Sequence, residues 1–297
     1  MQIPAVFRSA LARTVLAAAL AGAAFAAAPA LATSSGSVDK AAAALVPAKI
    51  KAKGTLVIAE DATYAPDEFI GPDGHTVVGM DADLAKALLP LLGLKADVVN
   101  ATFDTIIPGL QSGKFDVGMS SFTDEKSREK QVNFVDYFTA GESFFEKSSG
   151  GPKVTTLASI CGLTVSVEAG TTEKDDAEAQ KAKCTKAGKK PDNPQVFPTQ
   201  TGANLALSSG RVQVSMADSQ VAGYQVKQSH GLFKLVGTSY GFAPYGIAVP
   251  KQDGTLDRAI LKALKDLQAN GTYLKILTKW GIQAGAYKNP VINGATS

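Results

Sequence analysis

From Gly54 onward, short β-branched runs alternate with amphipathic helical segments, and polar or acidic residues end the runs. That alternation restricts the chain to the α/β class, in which helices cover the faces of a largely parallel sheet. Leu56-Val57-Ile58-Ala59 reads as a buried strand, Gly71-Pro72-Asp73-Gly74 as a turn, and LAKALLPLL as a helix. Asp81 or Asp83 is expected to cap that helix and Gly93 to end it. Residues 96–100 read as a second strand, followed by the helix IIPGLQS with Asp104 as its expected cap. Residues 115–119 read as a third strand, which opens into the polar loop Ser120-Ser121-Phe122-Thr123 ahead of a short charged helix carrying Arg128.

A similar unit restarts at Leu163. The strand LTVSV runs into Glu168-Ala169-Gly170-Thr171-Thr172-Glu173, where glycine and hydroxyls open a helix whose free N–H groups suit an anion. The strand VQVSMA then ends at Asp218. Ligands of open α/β sheets bind beyond the carboxyl ends of the strands. Asp61, the loop at 120–123, the turn at 170–173 and Asp218 all hold such positions, which predicts a polar cleft between two lobes. Taken singly, each residue has a plainer reading: Arg128 as a solvated helix charge, Asp218 and Thr172 as capping groups, Tyr64 and Phe103 as packing.

Export is written into the N-terminus. Arg8 and Arg13 precede an apolar run at 15–28, and Pro29 then Ala30-Leu31-Ala32 gives a small-x-small cleavage pattern. Residues 1–32 are read as a signal peptide and 33–53 as a linker with a short helix. No cysteine lies near the cut to take a lipid, so the mature chain is expected to be free in the periplasm. Removing Arg8 and Arg13 leaves 28 basic against 27 acidic residues, a balance of +1 without the clustered basic stripe of a nucleic-acid binder. With two histidines and two cysteines, neither a metal site nor a cofactor is expected. In an oxidising compartment Cys161 and Cys184 are expected to form a disulfide.

In order, GTLVIAEDATYAPDEF, GMDADLAKAL, TFDTIIPGLQSGKFDVGMSSFT, REKQVNFVDYF, VEAGTTE, ALSSGRVQVSMADSQVA and NGTYLKILTKWG resemble the polar amino-acid-binding branch of the bacterial extracellular solute-binding proteins. Relatives there include the lysine/arginine/ornithine-, histidine- and glutamine-binding proteins that serve ABC importers. The resemblance implies a two-lobed periplasmic-binding-protein fold (type II) with two hinge crossovers, near 143–147 and 242–247. Lobe 1 would take 54–145 and 243–297, and lobe 2 would take 146–242. It also implies a monomer that captures an amino acid by hinge closure and hands it to a membrane permease.

Residue by residue, the resemblance makes Arg128 the holder of the ligand α-carboxylate, with Ser121 and Thr123 in the loop before it and Thr172 at a helix start across the cleft. Asp218 would hold the α-ammonium, Asp61 would contact the side chain, and Tyr64 and Phe103 would flank it. The chain departs from the family pattern at Asp67, where an aromatic is usual, at Glu168 and Glu173, and at Gln213. Together with Asp61, the acids at 67, 168 and 173 suggest a cationic ligand side chain. Some periplasmic cyclohexadienyl (arogenate/prephenate) dehydratases share this fold, so an enzyme with Glu173 as general acid is the alternative.

Overall fold

The structure is a computed structural model that describes residues 37–295, so the signal-peptide reading falls outside the described residues. The chain opens on two short helices, Lys40–Leu45 (α1) and Ala48–Lys53 (α2). The strand Thr55–Glu60 (β1) follows, with Leu56 and Ile58 completely buried. Three short strands, Thr63–Tyr64 (β2), Glu68–Ile70 (β3) and Val77–Val78 (β4), form a separate antiparallel sheet. After helix Met80–Leu88 (α3) come strand Lys95–Asn100 (β5), helix Phe103–Gln111 (α4), strand Val117–Gly118 (β6) and the single turn of helix Lys126–Glu129 (α5). β1 pairs in parallel with both β5 and β6.

A long strand, Val132–Lys147 (β7), then leads into the second lobe. There Thr164–Glu168 (β8), helix Thr172–Lys186 (α6), Asn193–Phe197 (β9), helix Gln200–Ser208 (α7), Val214–Asp218 (β10) and helix Ser219–Gln228 (α8) repeat the pattern. β8 pairs in parallel with β9 and β10. A second long strand, Phe233–Pro250 (β11), returns antiparallel to β7 and leads to helices Leu256–Ala269 (α9) and Thr272–Trp280 (α10).

β7 and β11 are shared by both lobes, which gives the hydrogen-bonded order β5-β1-β6-β11-β7-β10-β8-β9. β11 meets β6 at Ala248, whereas β7 pairs with β10 from Glu142 to Phe145. Register shifts in β11 between Val236 and Ala243 bend the pair where it crosses.

Two helices illustrate how the sequence selects the packing. In α9, Leu256, Ala259, Ile260, Ala263, Leu264 and Leu267 form one buried stripe over the first lobe. α6 is mostly polar, and it buries Glu173, Ala177, Gln180 and Cys184 at helical spacing. Cys184 bonds to Cys161 with their Cα atoms 5.6 Å apart, as expected from an exported pair. Two expected caps are corrected. α3 starts after Gly79 with no side-chain cap, and Asp81 turns inward to accept the Ser121 amide at 2.9 Å. α4 starts after Thr102, again without a side-chain cap, and Asp104 sits inside its first turn.

Candidate functional site

β1, β6, β8 and β10 run toward one line between the lobes, and the residues at or beyond their ends meet in a narrow cleft. Asp61, Tyr64, Phe103, Ser121, Thr123 and Arg128 line it from the first lobe, and Thr172 and Asp218 line it from the second. Glu168 and Glu173 also face it.

Arg128 projects from the short α5. Its Nη1 donates to the Thr123 carbonyl at 2.9 Å, and its Nη2 donates to the Gly170 carbonyl of the other lobe at 2.9 Å. Phe103 and Phe122, stacked with centroids 4.5 Å apart, lie under the guanidinium at 5.6 and 5.9 Å. Cation–π contact and carbonyl partners hold the planar fork in place, with N–H groups left over for a carboxylate. Beyond Gly170, the first turn of α6 brings Thr171 and Thr172 to the cleft wall, and Thr171 Oγ1 accepts the Lys174 amide at 3.3 Å.

Asp218 ends β10. Tyr64 donates its phenol to Asp218 Oδ2 at 2.9 Å and accepts the Asp218 amide at 3.0 Å. Burial pushes the Asp218 carboxyl up to about 6, opposed by hydrogen bonds from Tyr245 and Tyr64 and by the charge of Arg128. Asp61 accepts three bonds, from the Thr63 amide and hydroxyl and from the Phe103 amide at 2.8 Å, and burial still raises its pKa. Glu168 and Glu173 are raised further, by burial first and then by Asp61 and Asp218 respectively.

Asp67 is corrected. It is fully buried behind the lining, where its carboxylate accepts Ser121 Oγ at 3.1 Å and Gln220 Nε2 at 2.5 Å. Because Gln220 belongs to α8, that contact ties the two lobes together rather than facing a ligand. Gln213 likewise stands away from the cleft and accepts the Thr164 amide at 3.0 Å. Glu68 is a lining residue that the sequence did not single out, whereas Ser120 and Thr171 fall within the loop at 120–123 and the turn at 170–173 expected there. The signal for Glu68 was the hairpin, since β2 and β3 set it directly opposite Tyr64. Ser120 Oγ donates to Glu68 Oε1 at 2.8 Å and accepts the Asp61 amide at 2.8 Å.

The lining thus holds five carboxyl groups, on Asp61, Glu68, Glu168, Glu173 and Asp218, and among the described residues one cation, Arg128. Desolvation keeps part of this acid protonated until a positive charge arrives.

The model of the bacterial extracellular solute-binding proteins, family 3, matches residues 56–283. The arginine-binding protein of Corynebacterium glutamicum is 32% identical over 84% of this chain and 82% of its own length. The histidine-binding periplasmic protein of Salmonella typhimurium is 29% identical over 80% of this chain and 89% of its own. Among solved structures, an ancestral arginine-binding protein bound to arginine superposes with a TM-score of 0.70 at 38% identity, covering 77% of this chain and 98% of its own. An ancestral amino acid-binding protein described as a precursor of cyclohexadienyl dehydratase does so with a TM-score of 0.70 at 34% identity, covering 78% and 97%.

Proposed function

The chain belongs to the bacterial extracellular solute-binding proteins, family 3, and from that premise we propose that it captures a cationic amino acid of the arginine class. The observation that carries this reading is the charge of the cleft, five carboxyl groups against Arg128 alone among the described lining residues. Arg128 takes the ligand α-carboxylate, assisted by Thr123, Ser121 and the helix start at Thr172. Asp218 takes the α-ammonium, oriented by Tyr64. The side chain lies between Tyr64 and Phe103, with its cation toward Asp61 and Glu168. Relatives named for arginine and histidine support the class.

Binding is the whole mechanism. Residues 54–145 with 243–297 act as one lobe and 146–242 as the other. A ligand touching both favours the closed arrangement by its differential affinity. The protein works as a monomer in the periplasm, and the closed form is what the permease of an ABC importer reads. Asp67 acts in closure through Gln220 rather than in selecting the side chain.

A thermal-shift screen of the purified mature protein against the amino acids and polyamines tests the reading. A ligand that binds only the folded form raises the midpoint with ln(1 + [L]/Kd). Arginine, lysine or ornithine should give the largest shifts. A shift from neutral amino acids alone would overturn the cationic assignment.

A further inference from the structure

Asp61 and Glu168 stand on opposite lobes and face each other in the lining of one cleft. The Thr63 hydroxyl donates to Asp61 Oδ1 at 2.7 Å and accepts the Gln200 amide at 3.1 Å. That same amide donates to Glu168 Oε1 at 2.9 Å. One hydroxyl and one amide thus bridge the two carboxyl groups, and neither carries charge. Glu168 is almost wholly buried, at 2% exposure, as is Asp61 at the same value. Glu68, Glu173 and Asp218 face the same space, and Asp104 adds negative charge near Glu168. The one lining cation among the described residues, Arg128, is engaged by the carbonyls of Thr123 and Gly170.

We propose that Asp61 and Glu168 form a two-carboxylate clasp across the cleft, which shuts on a ligand side-chain cation and resists shutting on a neutral one. Closing without a cation brings two like charges together or forces Glu168 to take up a proton that it does not hold in water, and a guanidinium or ammonium between them turns that cost into attraction. Selectivity then resides in the closing step. A neutral amino acid can still engage Arg128 and Asp218, yet it leaves the clasp uncompensated. This inference rests on the amino-acid reading above and assigns to Glu168 a role in rejecting neutral ligands, beyond attracting charged ones.

The test uses arginine and citrulline, which share a shape while only arginine is charged, in calorimetry on the wild type, Glu168→Gln and Asp61→Asn. Wild type should prefer arginine strongly. In each variant citrulline should gain affinity, by at least about tenfold, while arginine weakens, because one like-charge opposition has been removed. Damage to the fold would not produce a gain for the neutral ligand. Small-angle scattering adds a second measurement: citrulline should compact Glu168→Gln and leave the wild type extended. Citrulline affinity unchanged or reduced in Glu168→Gln, with arginine still bound, would overturn the clasp. So would a gain confined to Asp61→Asn, which would leave Asp61 acting alone. Wild type that binds no amino acid at all would instead overturn the proposed function, a result distinct from either.

Discussion

Tyr64 and Asp218 exchange two hydrogen bonds across the cleft, the phenol donating to Oδ2 at 2.9 Å and accepting the Asp218 amide at 3.0 Å. The pair fixes the carboxylate at the end of β10, where it lines the cleft. Arg128 stands on the same cleft wall as Tyr64, so a zwitterion can span from one lobe to the other.

Removing either charged anchor should therefore be costly. Truncating one partner of a buried charge pair typically costs about 2–5 kcal/mol, because the other charge is left unpaired. Arg128→Ala and Asp218→Ala should each weaken binding of the best amino acid at least roughly thirtyfold by calorimetry. Lysine at 128 should restore only part, since it lacks the two-pronged donor. Wild-type affinity in Arg128→Ala would mean that the carboxylate is held elsewhere.

What could be read from sequence divides along physical lines. Strand-end positions depend on local pattern alone, and Asp61, the 120–123 loop, the start of α6 and Asp218 meet in the structure for that reason. Side-chain direction depends on pairing partners. Asp67 and Glu68 are neighbours with the same charge, and only the β2–β3 register turns Glu68 to the cleft while Asp67 reaches Gln220 from behind. Asp81 looked like a cap because it sits in the first turn of α3, but a tertiary partner, the Ser121 amide, claims it. Contacts between lobes, such as Arg128 to the Gly170 carbonyl, had no local signature at all.

Gly170 should be required for closure. Its φ is +81°, and a Cβ there would lie 3.0 Å from Asp104 Cβ and 3.1 Å from Asp104 Cα on the facing lobe. Gly170→Ala adds backbone strain in any state, about 1 kcal/mol, and a collision only when the lobes meet. Strain common to both states cancels from the affinity, so a fall in ligand affinity of at least about fivefold reports impeded closure. Scattering should find the liganded variant less compact than liganded wild type. Equal compaction would remove the steric argument.

The Cys161–Cys184 bond closes a loop of sequence separation 23 within the second lobe. A cross-link of that span stabilises by about 3 kcal/mol, chiefly by restricting the unfolded chain. The Cys161→Ala/Cys184→Ala double variant should lose several degrees in Tm. Its arginine affinity should stay near wild type, since Cys184 lies three turns along α6 from the ligand end. A large affinity loss with Tm unchanged would show that the bridge shapes the cleft instead.

Glu173 combines a cleft position with a raised pKa, caused by burial and then by the charges of Asp218 and Glu142, so the dehydratase alternative has a direct check. Incubation with prephenate or arogenate should give no aromatic product above the uncatalysed rate. Glu173→Gln should keep arginine binding within roughly tenfold, because a protonated carboxyl and an amide both donate a hydrogen bond. Turnover by wild type that disappears in Glu173→Gln would assign catalysis to the site.

Stability and affinity should respond to pH in opposite directions. Asp218 is pushed up to about 6 and Glu142 up to about 8, both by burial first. Asp81 is pushed up to about 6 for the same reason. The folded, ligand-free protein thus keeps protons that the unfolded chain releases near pH 4. Since the folded state binds more protons through this window, stability falls as pH rises from about 4 to 8. The ligand-free Tm should be higher at pH 5.5 than at pH 8.5. A ligand ammonium beside Asp218 favours the ionised carboxylate, so binding expels a proton and arginine should bind more tightly at pH 7.5 than at pH 5.5. Asp218→Asn should flatten much of the affinity slope and, through loss of one titrating group, a smaller part of the stability slope. Ligand-free Tm rising with pH across the window, or arginine affinity falling, would mean that the acids around the cleft are already ionised and compensated in the closed fold.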